Sequence, residues 1–304
     1  MDSAMTVWEV PEPDSVLDLQ VGADTAIRVR RHGNPDGPRL VLSHGNGLAI
    51  DLYYPFWSLL TDEFDVVVHD LRNHGQNTVG PLEGHTLPTL AADHDLVIEA
   101  IGAEWGPKPT VGVYHSVSSL AALLAPSSGG NLDALVLFDP PLRRPGVLHE
   151  EFDDAAIDQA QRARGRSNRC RSKQNFADLI GFTPTFHDVV DGVGLLAAET
   201  TLREAPDGRG YELRCPPEYE AQIIEYARMF AVLVDLVSVQ CPVKVIGADP
   251  TLPYSYLPTF DLGDIVGVDY DFLPDATHML QLQQPSECVN VMREFLDSLA
   301  LLRS

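Results

Sequence analysis

Residues 110–124 read Thr-Val-Gly-Val-Tyr-His-Ser-Val-Ser-Ser-Leu-Ala-Ala-Leu-Leu, and this stretch decides the fold. Its first five residues form an apolar run that is typical of a strand buried on both faces of a parallel sheet. Its last five residues are typical of a helix, and the sharp turn between the two has Ser116 at its apex. A serine in this context projects its Oγ away from the sheet, and the N–H group of the next residue, Val117, can bind an oxyanion. The stretch therefore predicts a nucleophilic serine on an α/β sheet.

The turn departs at one position from the usual pattern Gly-x-Ser-x-Gly. Small residues normally stand two positions before and after the serine, because their side chains pack against neighbouring elements. Ser118 meets this requirement, whereas the ring of Tyr114 needs room that a glycine would not need.

Similar buried runs recur along the chain and alternate with helical segments. This alternation predicts an α/β fold with a mostly parallel central sheet flanked by helices. The predicted strands are 39–42, 66–68, 110–114, 134–138, 243–246 and 266–270, and a hairpin of 16–21 and 26–30 precedes them. The predicted helices are 51–60, 87–101, 118–124 and 286–302.

One long interval interrupts this alternation. The residues between Asp139 and Pro242 lack a clear buried strand but contain helical segments such as 217–237. We therefore predict an inserted, mainly helical cap, or lid, over residues 143–238. The core domain then consists of residues 1–142 and 239–304.

The loop Ser43-His-Gly-Asn-Gly47 follows the predicted strand 39–42. A strand that ends in His-Gly and a small turn supplies the second oxyanion donor in serine hydrolases of this architecture. We expect that donor to be the backbone N–H of Asn46, which would form an oxyanion hole together with the N–H of Val117.

His278 lies in the loop between the last predicted strand and the final helix. A histidine at this place can act as general base toward Ser116 and then as general acid toward the leaving group. The carboxylate that orients it should follow the preceding strand, which makes Asp249 the first choice. Asp139 is the rival, because it also follows the end of a predicted strand.

The order Ser116, Asp249, His278 resembles that of the α/β-hydrolase superfamily, and the resemblance covers nearly all of the chain except the cap. The stretch Asp70-Leu-Arg-Asn-His-Gly75 is similar to an Asp-x-Arg-Gly-His-Gly stretch of many members, where such turns tie loops together. Dehalogenases and epoxide hydrolases of the family need an aspartate nucleophile at the elbow, so Ser116 argues against both. The resemblance implies a capped serine esterase.

The function that uses every one of these residues is cleavage of a small-molecule carboxylic ester by water through an acyl-enzyme intermediate. Carbon–carbon bond hydrolases, lactonases and perhydrolases use the same catalytic triad and stay open, as does a ligand receptor of this fold without turnover. The chain contains no HExxH, no P-loop and no GxGxxG after a strand. We therefore expect neither a cofactor nor a metal.

The charge of the chain narrows the choice of partners. Its 44 Asp and Glu residues against 21 Lys and Arg residues give a net charge of −23. Such a surface repels phosphate backbones and anionic headgroups, so we expect no nucleic-acid and no membrane partner and leave a homo-oligomer open. The four cysteines lack CxxC spacing, and the N-terminus lacks the charge and apolar pattern of a leader. Both features favour a cytoplasmic protein.

Basic residues are concentrated in one segment of the predicted cap, where six of the twelve residues from 162 to 173 are Arg or Lys: Arg162, Arg164, Arg166, Arg169, Arg171 and Lys173. One interpretation is a solvated face that pairs with the acidic residues of 150–158. The other is that one or two of these arginines hold a substrate carboxylate. The second interpretation makes a monoester of a dicarboxylic acid a candidate substrate.

Overall fold

The computed structural model describes residues 6–142, 150–252 and 267–302. Its strands, in chain order, are β1 (Ser15–Gly22), β2 (Thr25–Gly33), β3 (Arg39–Ser43), β4 (Asp65–His69), β5 (Thr110–His115), β6 (Ala134–Phe138), β7 (Arg169–Cys170), β8 (Leu202–Glu204), β9 (Tyr211–Leu213), β10 (Val243–Gly247) and β11 (Val268–Phe272). Eight of them form the central sheet, in the order β1-β2-β4-β3-β5-β6-β10-β11. The pairs β1–β2 and β2–β4 are antiparallel and the other pairs are parallel, which confirms the predicted mostly parallel α/β sheet.

The described helices are α1 (Tyr54–Trp57), α2 (Leu87–Trp105), α3 (Val117–Leu123), α4 (Glu150–Gly165), α5 (Lys173–Gly181), α6 (Val193–Thr201), α7 (Pro217–Phe230), α8 (Leu280–Gln283) and α9 (Pro285–Ser298). Local signals explain the bounds of the longest of them, α2. The hydroxyl of Thr86 accepts a hydrogen bond from the N–H of Thr89 at its start. Gly106, at a φ of 80°, ends the helix where most side chains would be strained.

The central strands are buried on both faces, which explains their continuous apolar runs. Side chains alternate across a strand, so Leu40 and Leu42 of β3 pack with Phe56 of α1 and Met292 of α9 on one face. Val41, between them, points to the other face and packs in the cluster that contains residues of α2 and α3. Helices therefore cover both faces of the sheet, as the sequence predicts.

The interval between β6 and β10 holds α4 to α7 and a small antiparallel sheet in the order β7-β9-β8. The helices agree with the predicted content of this interval, but its three short strands were not predicted. The predicted helix 217–237 is α7, which ends earlier, at Phe230, and is followed by two single 3-10 turns. Position 143, where the predicted cap begins, lies outside the described residues, as does position 266, the predicted start of the last strand.

Helix α7 ties this interval to the loops of the core. The hydroxyl of Tyr219 donates to the carbonyl of Gly80 at 2.7 Å. The amide of Gln222 donates to the carbonyls of Leu82 and His85 at 2.9 and 2.8 Å. These contacts hold α7 above the carboxyl edge of the sheet, where the predicted site residues lie. In the described parts of the chain, no helix combines the length and the apolar character that crossing a membrane requires.

Candidate active site

Ser116 stands at a strained turn between β5 and α3. Its φ and ψ are 55° and −120°, a conformation that few residues other than glycine adopt. The strand on one side and the helix on the other hold it there, and its N–H donates to the carbonyl of Phe138 on the neighbouring strand at 2.9 Å. The predicted serine turn is therefore present, with the side chain at its apex.

The side chain of His278 lies next to this serine. Its Nε2 atom is 3.0 Å from the Oγ of Ser116, a distance at which the hydroxyl donates to the ring. The residue stands between β11 and α8, as predicted. A neutral imidazole in this place can take the proton of the hydroxyl as the oxygen attacks a substrate.

Asp139 provides the carboxylate that orients His278. Its Oδ2 atom accepts a hydrogen bond from Nδ1 of His278 at 2.6 Å, and its Oδ1 atom accepts one from the N–H of Ala248 at 3.1 Å. The residue is fully buried and has a positive φ of 39° directly after β6. That backbone conformation turns its side chain toward the histidine.

The expectation that Asp249 orients His278 is wrong in this geometry. One carboxylate oxygen of Asp249 accepts from the N–H and the hydroxyl of Thr251, and the other accepts from the N–H of Asp275 at 2.8 Å. The hydrogen bond from Thr251 is the main cause that lowers the pKa of Asp249. The N–H of Asp249 also donates to the carbonyl of Ala276, so the residue fastens the loop that carries His278. Asp139, the rival choice, makes the contact with His278 instead.

The two predicted oxyanion donors belong to chain segments that adjoin the same serine. Val117 begins α3, and the N–H groups of Val117 and Asn46 make no hydrogen bond to any described residue. A Cβ atom on Gly45 would lie 3.3 Å from the Cβ of Ser116, so the residue before Asn46 lies close to this serine. The amide of Asn46 donates to the carbonyl of Glu220 in α7 at 2.8 Å, which fixes this loop from above.

The ring of Tyr114 finds its room at Gly112, one step back on the same face of β5. A Cβ atom on Gly112 would lie only 2.5 Å from Cε2 of Tyr114. The ring therefore lies along its own strand and is buried, and its hydroxyl is 3.1 Å from Nε2 of His94. The small residue that the turn needs is thus displaced by two positions, from 114 to 112.

The loop Asp70–Gly75 has the structural role that its sequence suggests. The carboxylate of Asp70 accepts from the N–H groups of Ile50 and Gln76 at 2.8 and 3.0 Å and pairs with the guanidinium of Arg30. The Nε2 atom of His74 accepts from the N–H of Gly47 at 3.0 Å. This loop therefore supports the loop of residues 43–47, which carries the predicted donor Asn46 and is named the oxyanion loop.

Most of the basic residues of 162–173 are paired with acids of the same interval. Their ion-pair partners are Glu218 and Glu225 for Arg164, Glu220 for Arg166, Asp207 for Arg169 and Glu199 for Lys173. These partners lie downstream in sequence rather than in 150–158. Among these pairs, Arg166 is the one whose partner touches the site, since a Cβ on Gly47 would lie 2.8 Å from the carboxylate of Glu220.

One buried cluster of potential metal ligands lies beside the site, formed by His74, His85 and Cys215, whose ligand atoms lie within 4.8 Å of one another. Its hydrogen bonds do not suit a metal. The Nε2 lone pair of His74 accepts from Gly47, and the Nδ1 lone pair of His85 accepts from the amide of Asn73 at 3.0 Å. Burial also raises the pKa of the Cys215 thiol well above its usual range. The ring of His85 also packs against that of Tyr219 in α7, with the ring centroids 5.2 Å apart.

Two residues that sequence reasoning missed complete the site. His115 and Tyr53 are buried, and their side chains are 2.7 Å apart, between Nδ1 and the hydroxyl. The position of His115 next to Ser116 was the available signal, whereas Tyr53 lies far away in sequence and carried none.

Comparison with known proteins identifies partial relatives. The chain is 30% identical over 164 residues to protein phosphatase methylesterase 1 of Pongo abelii, which covers 53% of this chain and 40% of that protein. It is 33% identical over 135 residues to the probable oxidoreductase EphD of Mycobacterium tuberculosis, over 39% of this chain and 22% of that one. The chain thus spans less than half the length of these relatives.

Two further comparisons extend over most of the chain. The structure is similar to that of E-2-(acetamidomethylene)succinate hydrolase, with a TM-score of 0.76 and 18% identity over 93% of this chain and 99% of the other. That likeness concerns the fold. The model of the alpha/beta hydrolase family matches residues 40–291, a range that includes Ser116, Asp139 and His278. The chain therefore belongs to the alpha/beta hydrolase family.

Proposed function

We propose that this hydrolase cleaves a carboxylic ester of a small molecule through a serine ester. The observation that carries the proposal is the unbroken hydrogen-bonded chain from Ser116 through His278 to Asp139. In the first step the Oγ of Ser116 attacks the ester carbonyl, and its proton passes to Nε2 of His278. The buried carboxylate of Asp139 stabilises the imidazolium that results. His278 then gives the proton to the departing alcohol, which leaves an acyl group on Ser116.

Water completes the reaction by the same route. His278 takes a proton from a water molecule, the resulting oxygen attacks the acyl carbonyl, and Ser116 recovers the proton as the acid leaves. In both steps the negative charge on the carbonyl oxygen is bound by the N–H groups of Asn46 and Val117. Their lack of other described partners supports this role, because donors that are held in place and unpaired need no rearrangement when charge develops. The described residues supply each of these groups, and the route requires no cofactor.

The mammalian relatives support an ester as the substrate class. They carry the name protein phosphatase methylesterase 1, although the match covers 40% of that protein. Ser116 at the elbow agrees with this chemistry, since a serine forms an ester with the acyl group that water can cleave. We propose a small-molecule ester as the substrate and water as the second reactant.

A finer proposal concerns the charge of the substrate. Arg166 is the basic residue whose partner, Glu220, packs on Gly47 of the oxyanion loop. Burial raises the pKa of Glu220, against the effect of the arginine, so a second acid can compete for the guanidinium. We propose that the free carboxylate of a dicarboxylic acid monoester is that second acid.

Replacement of the nucleophile tests the reaction. We expect Ser116→Ala to lower kcat for short-chain aryl esters by roughly 10⁴- to 10⁶-fold, because the acyl group then has no acceptor. A fluorophosphonate probe followed by peptide mapping should label the wild type at Ser116, and circular dichroism should show the variant folded. Ser238→Ala, at an exposed serine, serves as the matched control and should keep full turnover. Turnover by Ser116→Ala near the wild-type rate would refute the proposal, and lactones in the same panel would test bond type.

A monoester and its matched dimethyl ester test the charge proposal. We expect the wild type to have the higher kcat/KM for the monoester and Arg166→Gln to lose that preference by about 10-fold or more, as expected when a charged hydrogen bond is lost. Arg164→Gln is the matched control, since Arg164 pairs with Glu218 and Glu225 at the surface. A preference of the wild type for the diester would exclude the monoester class while leaving the serine mechanism intact.

A further inference from the structure

His115 connects the two loops on which the proposed reaction depends. Its Nε2 atom is 2.8 Å from the carbonyl oxygen of His278, the residue that supplies the base. Its Nδ1 atom is 2.7 Å from the hydroxyl of Tyr53, and that hydroxyl is 3.2 Å from the N–H of Gly45 in the oxyanion loop. The imidazole of His115 thus lies between the loop that carries His278 and the oxyanion loop.

The groups at the two ends of this series of hydrogen bonds fix the direction of every bond in it. The carbonyl of His278 can only accept, so Nε2 of His115 carries the proton and donates it. Nδ1 of the neutral ring is then a lone pair and accepts from the hydroxyl of Tyr53. The oxygen of that hydroxyl is free to accept from the N–H of Gly45, which can only donate. Each donor in this series of hydrogen bonds therefore faces an acceptor.

The ring of His115 is also in direct contact with both loops. Its centroid is 4.6 Å from that of His278, and the two planes are tilted by 43°. A Cβ atom on Gly45 would lie 2.8 Å from Nδ1 of His115, so glycine permits the oxyanion loop to approach the ring. Any shift of this ring would therefore move the base, the oxyanion loop or both.

Burial keeps this imidazole neutral. His115 is 1% exposed, and burial together with the nearby His278 lowers its pKa well below its usual range. Neutrality suits the proposed reaction in two ways. Protonation of Nδ1 would break the hydrogen bond from Tyr53, and a positive charge next to His278 would oppose formation of the imidazolium on the base.

We propose that His115, through Tyr53, is a positioning residue that holds the general base and the oxyanion donors at a fixed separation. This inference rests on the proposed serine mechanism and adds to it the group that sets its geometry. His115 takes no proton from the substrate. It acts through the backbone of His278 and of Gly45, and its loss allows each loop to move independently of the other.

Two replacements of His115 test the role. Misplacement of catalytic groups by about 1 Å costs roughly 10²-fold in rate. We therefore expect His115→Leu, which removes both hydrogen bonds, to lower kcat by about 100-fold with KM within about threefold of the wild type. His115→Gln retains an amide donor and a carbonyl acceptor and should recover at least about 10-fold of that loss. Rates are expressed per serine that a fluorophosphonate probe can titrate, so that unfolded protein does not count.

A buried pair elsewhere supplies the matched control. His94 and Tyr114 are likewise a buried histidine and tyrosine in hydrogen-bond contact, on the other face of the sheet. His94→Leu should lower the thermal midpoint without lowering kcat per titrated serine. If His115→Leu does no more than this, or if His115→Gln behaves like His115→Leu, the positioning role is overturned.

The double variant of Tyr53→Phe and His115→Leu tests whether these hydrogen-bonded residues act as one unit. Tyr53→Phe removes the hydroxyl that connects His115 with Gly45, so we expect it to lower kcat but to add little in the His115→Leu background. Multiplicative losses in the double variant would show independent effects and contradict the inference. Absence of ester turnover in the wild type would instead reject the proposed function, and this outcome is separate from all of the variant results.

Discussion

At the scale of single residues, the choice between Asp139 and Asp249 depends on backbone conformation. Strands β6 and β10 are parallel neighbours, and Phe138 is in register with Ile246, so the two acids leave the same edge of the sheet. The sequence places both acids after predicted strands but does not show which carboxylate turns toward His278. The positive φ of Asp139 turns its side chain to the histidine, whereas Asp249 uses its oxygens to close its own turn.

Neutral replacements of the two acids should separate their roles. We expect Asp139→Asn to lower kcat by roughly 10⁴-fold, because an amide offers Nδ1 of His278 no charge and can favour the wrong tautomer. Asp249→Asn should keep kcat within about tenfold of the wild type, since its effect passes only through the loop of 275–278. Steady-state kinetics of both purified variants on one ester provides the measurement. The reverse ranking would return the acid role to Asp249.

At the scale of elements, β5 combines two departures from the usual pattern that compensate each other. A large ring at 114 stands where small residues are usual, and a glycine at 112 stands in a buried strand that would otherwise favour a side chain. Each departure alone would weaken the element. Together they bury an aromatic ring against the strand that presents Ser116.

This compensation predicts an unusual sensitivity of β5 to a single methyl group. Gly112→Ala places a Cβ 2.5 Å from the ring of Tyr114 and 2.9 Å from Leu135, so overpacking should lower the free energy of unfolding by about 1–3 kcal/mol. Gly102→Ala, in the last turn of α2, places its new methyl within 4 Å of no atom outside its own stretch of helix. This variant should instead stabilise by up to about 1 kcal/mol. Urea unfolding of both variants measures the difference.

The same experiment can test whether the ring of Tyr114 is the group that the new methyl of Gly112→Ala meets. Tyr114→Leu shortens the side chain, so the double variant should be less destabilised than the sum of the two single variants. Strict additivity would mean that the ring does not depend on Gly112. In that case Leu135, the next nearest neighbour of the new methyl, would account for the cost.

The elements that were predicted from sequence are those whose signals are local. The runs of β3 to β6 and β10 are mainly apolar because both faces of these strands are buried. The turn at Ser116 is recognised by the strand before it, the small residues around it and the helix after it. Strands β7 to β9 are only two or three residues long and form through pairing across the interval, so no periodic pattern marks them. For the same reason Tyr53, which reaches the site only through folding, could not be predicted.

At the scale of the whole molecule, many of the histidines lie in the interior. Seven histidines are buried among the described residues: His32, His44, His69, His74, His85, His94 and His115. Burial is the main cause that lowers the pKa of His32 to about 4 and those of His69 and His85 to about 3. The folded protein therefore keeps these three rings neutral at pH values where the unfolded chain binds protons.

This difference predicts that stability falls as the pH drops below about 6.5, the pKa of histidine in an unfolded chain. Between that value and about 4 the unfolded state holds more protons than the folded state, so the free energy of unfolding rises with pH and its full value is present above 6.5. Each such histidine contributes a slope of up to roughly 1.4 kcal/mol per pH unit, and three of them can remove about 6 kcal/mol by pH 5. That is comparable with the whole stability of a typical domain.

Urea unfolding between pH 7.5 and 5 measures this dependence, and two variants determine which groups cause it. His85→Gln removes one buried imidazole and should reduce the slope of the free energy of unfolding against pH by about the contribution of one proton. His187→Gln removes an exposed ring, whose side chain is 72% accessible, and should leave the slope unchanged. Repulsion within the acidic surface works in the opposite direction, because partial protonation of a chain of charge −23 relieves it. A urea midpoint that stays level from pH 7 to 5 would therefore contradict the dominance of the buried histidines. Salt at 0.5 M screens the surface charges alone, so it should make stability fall more steeply as the pH drops.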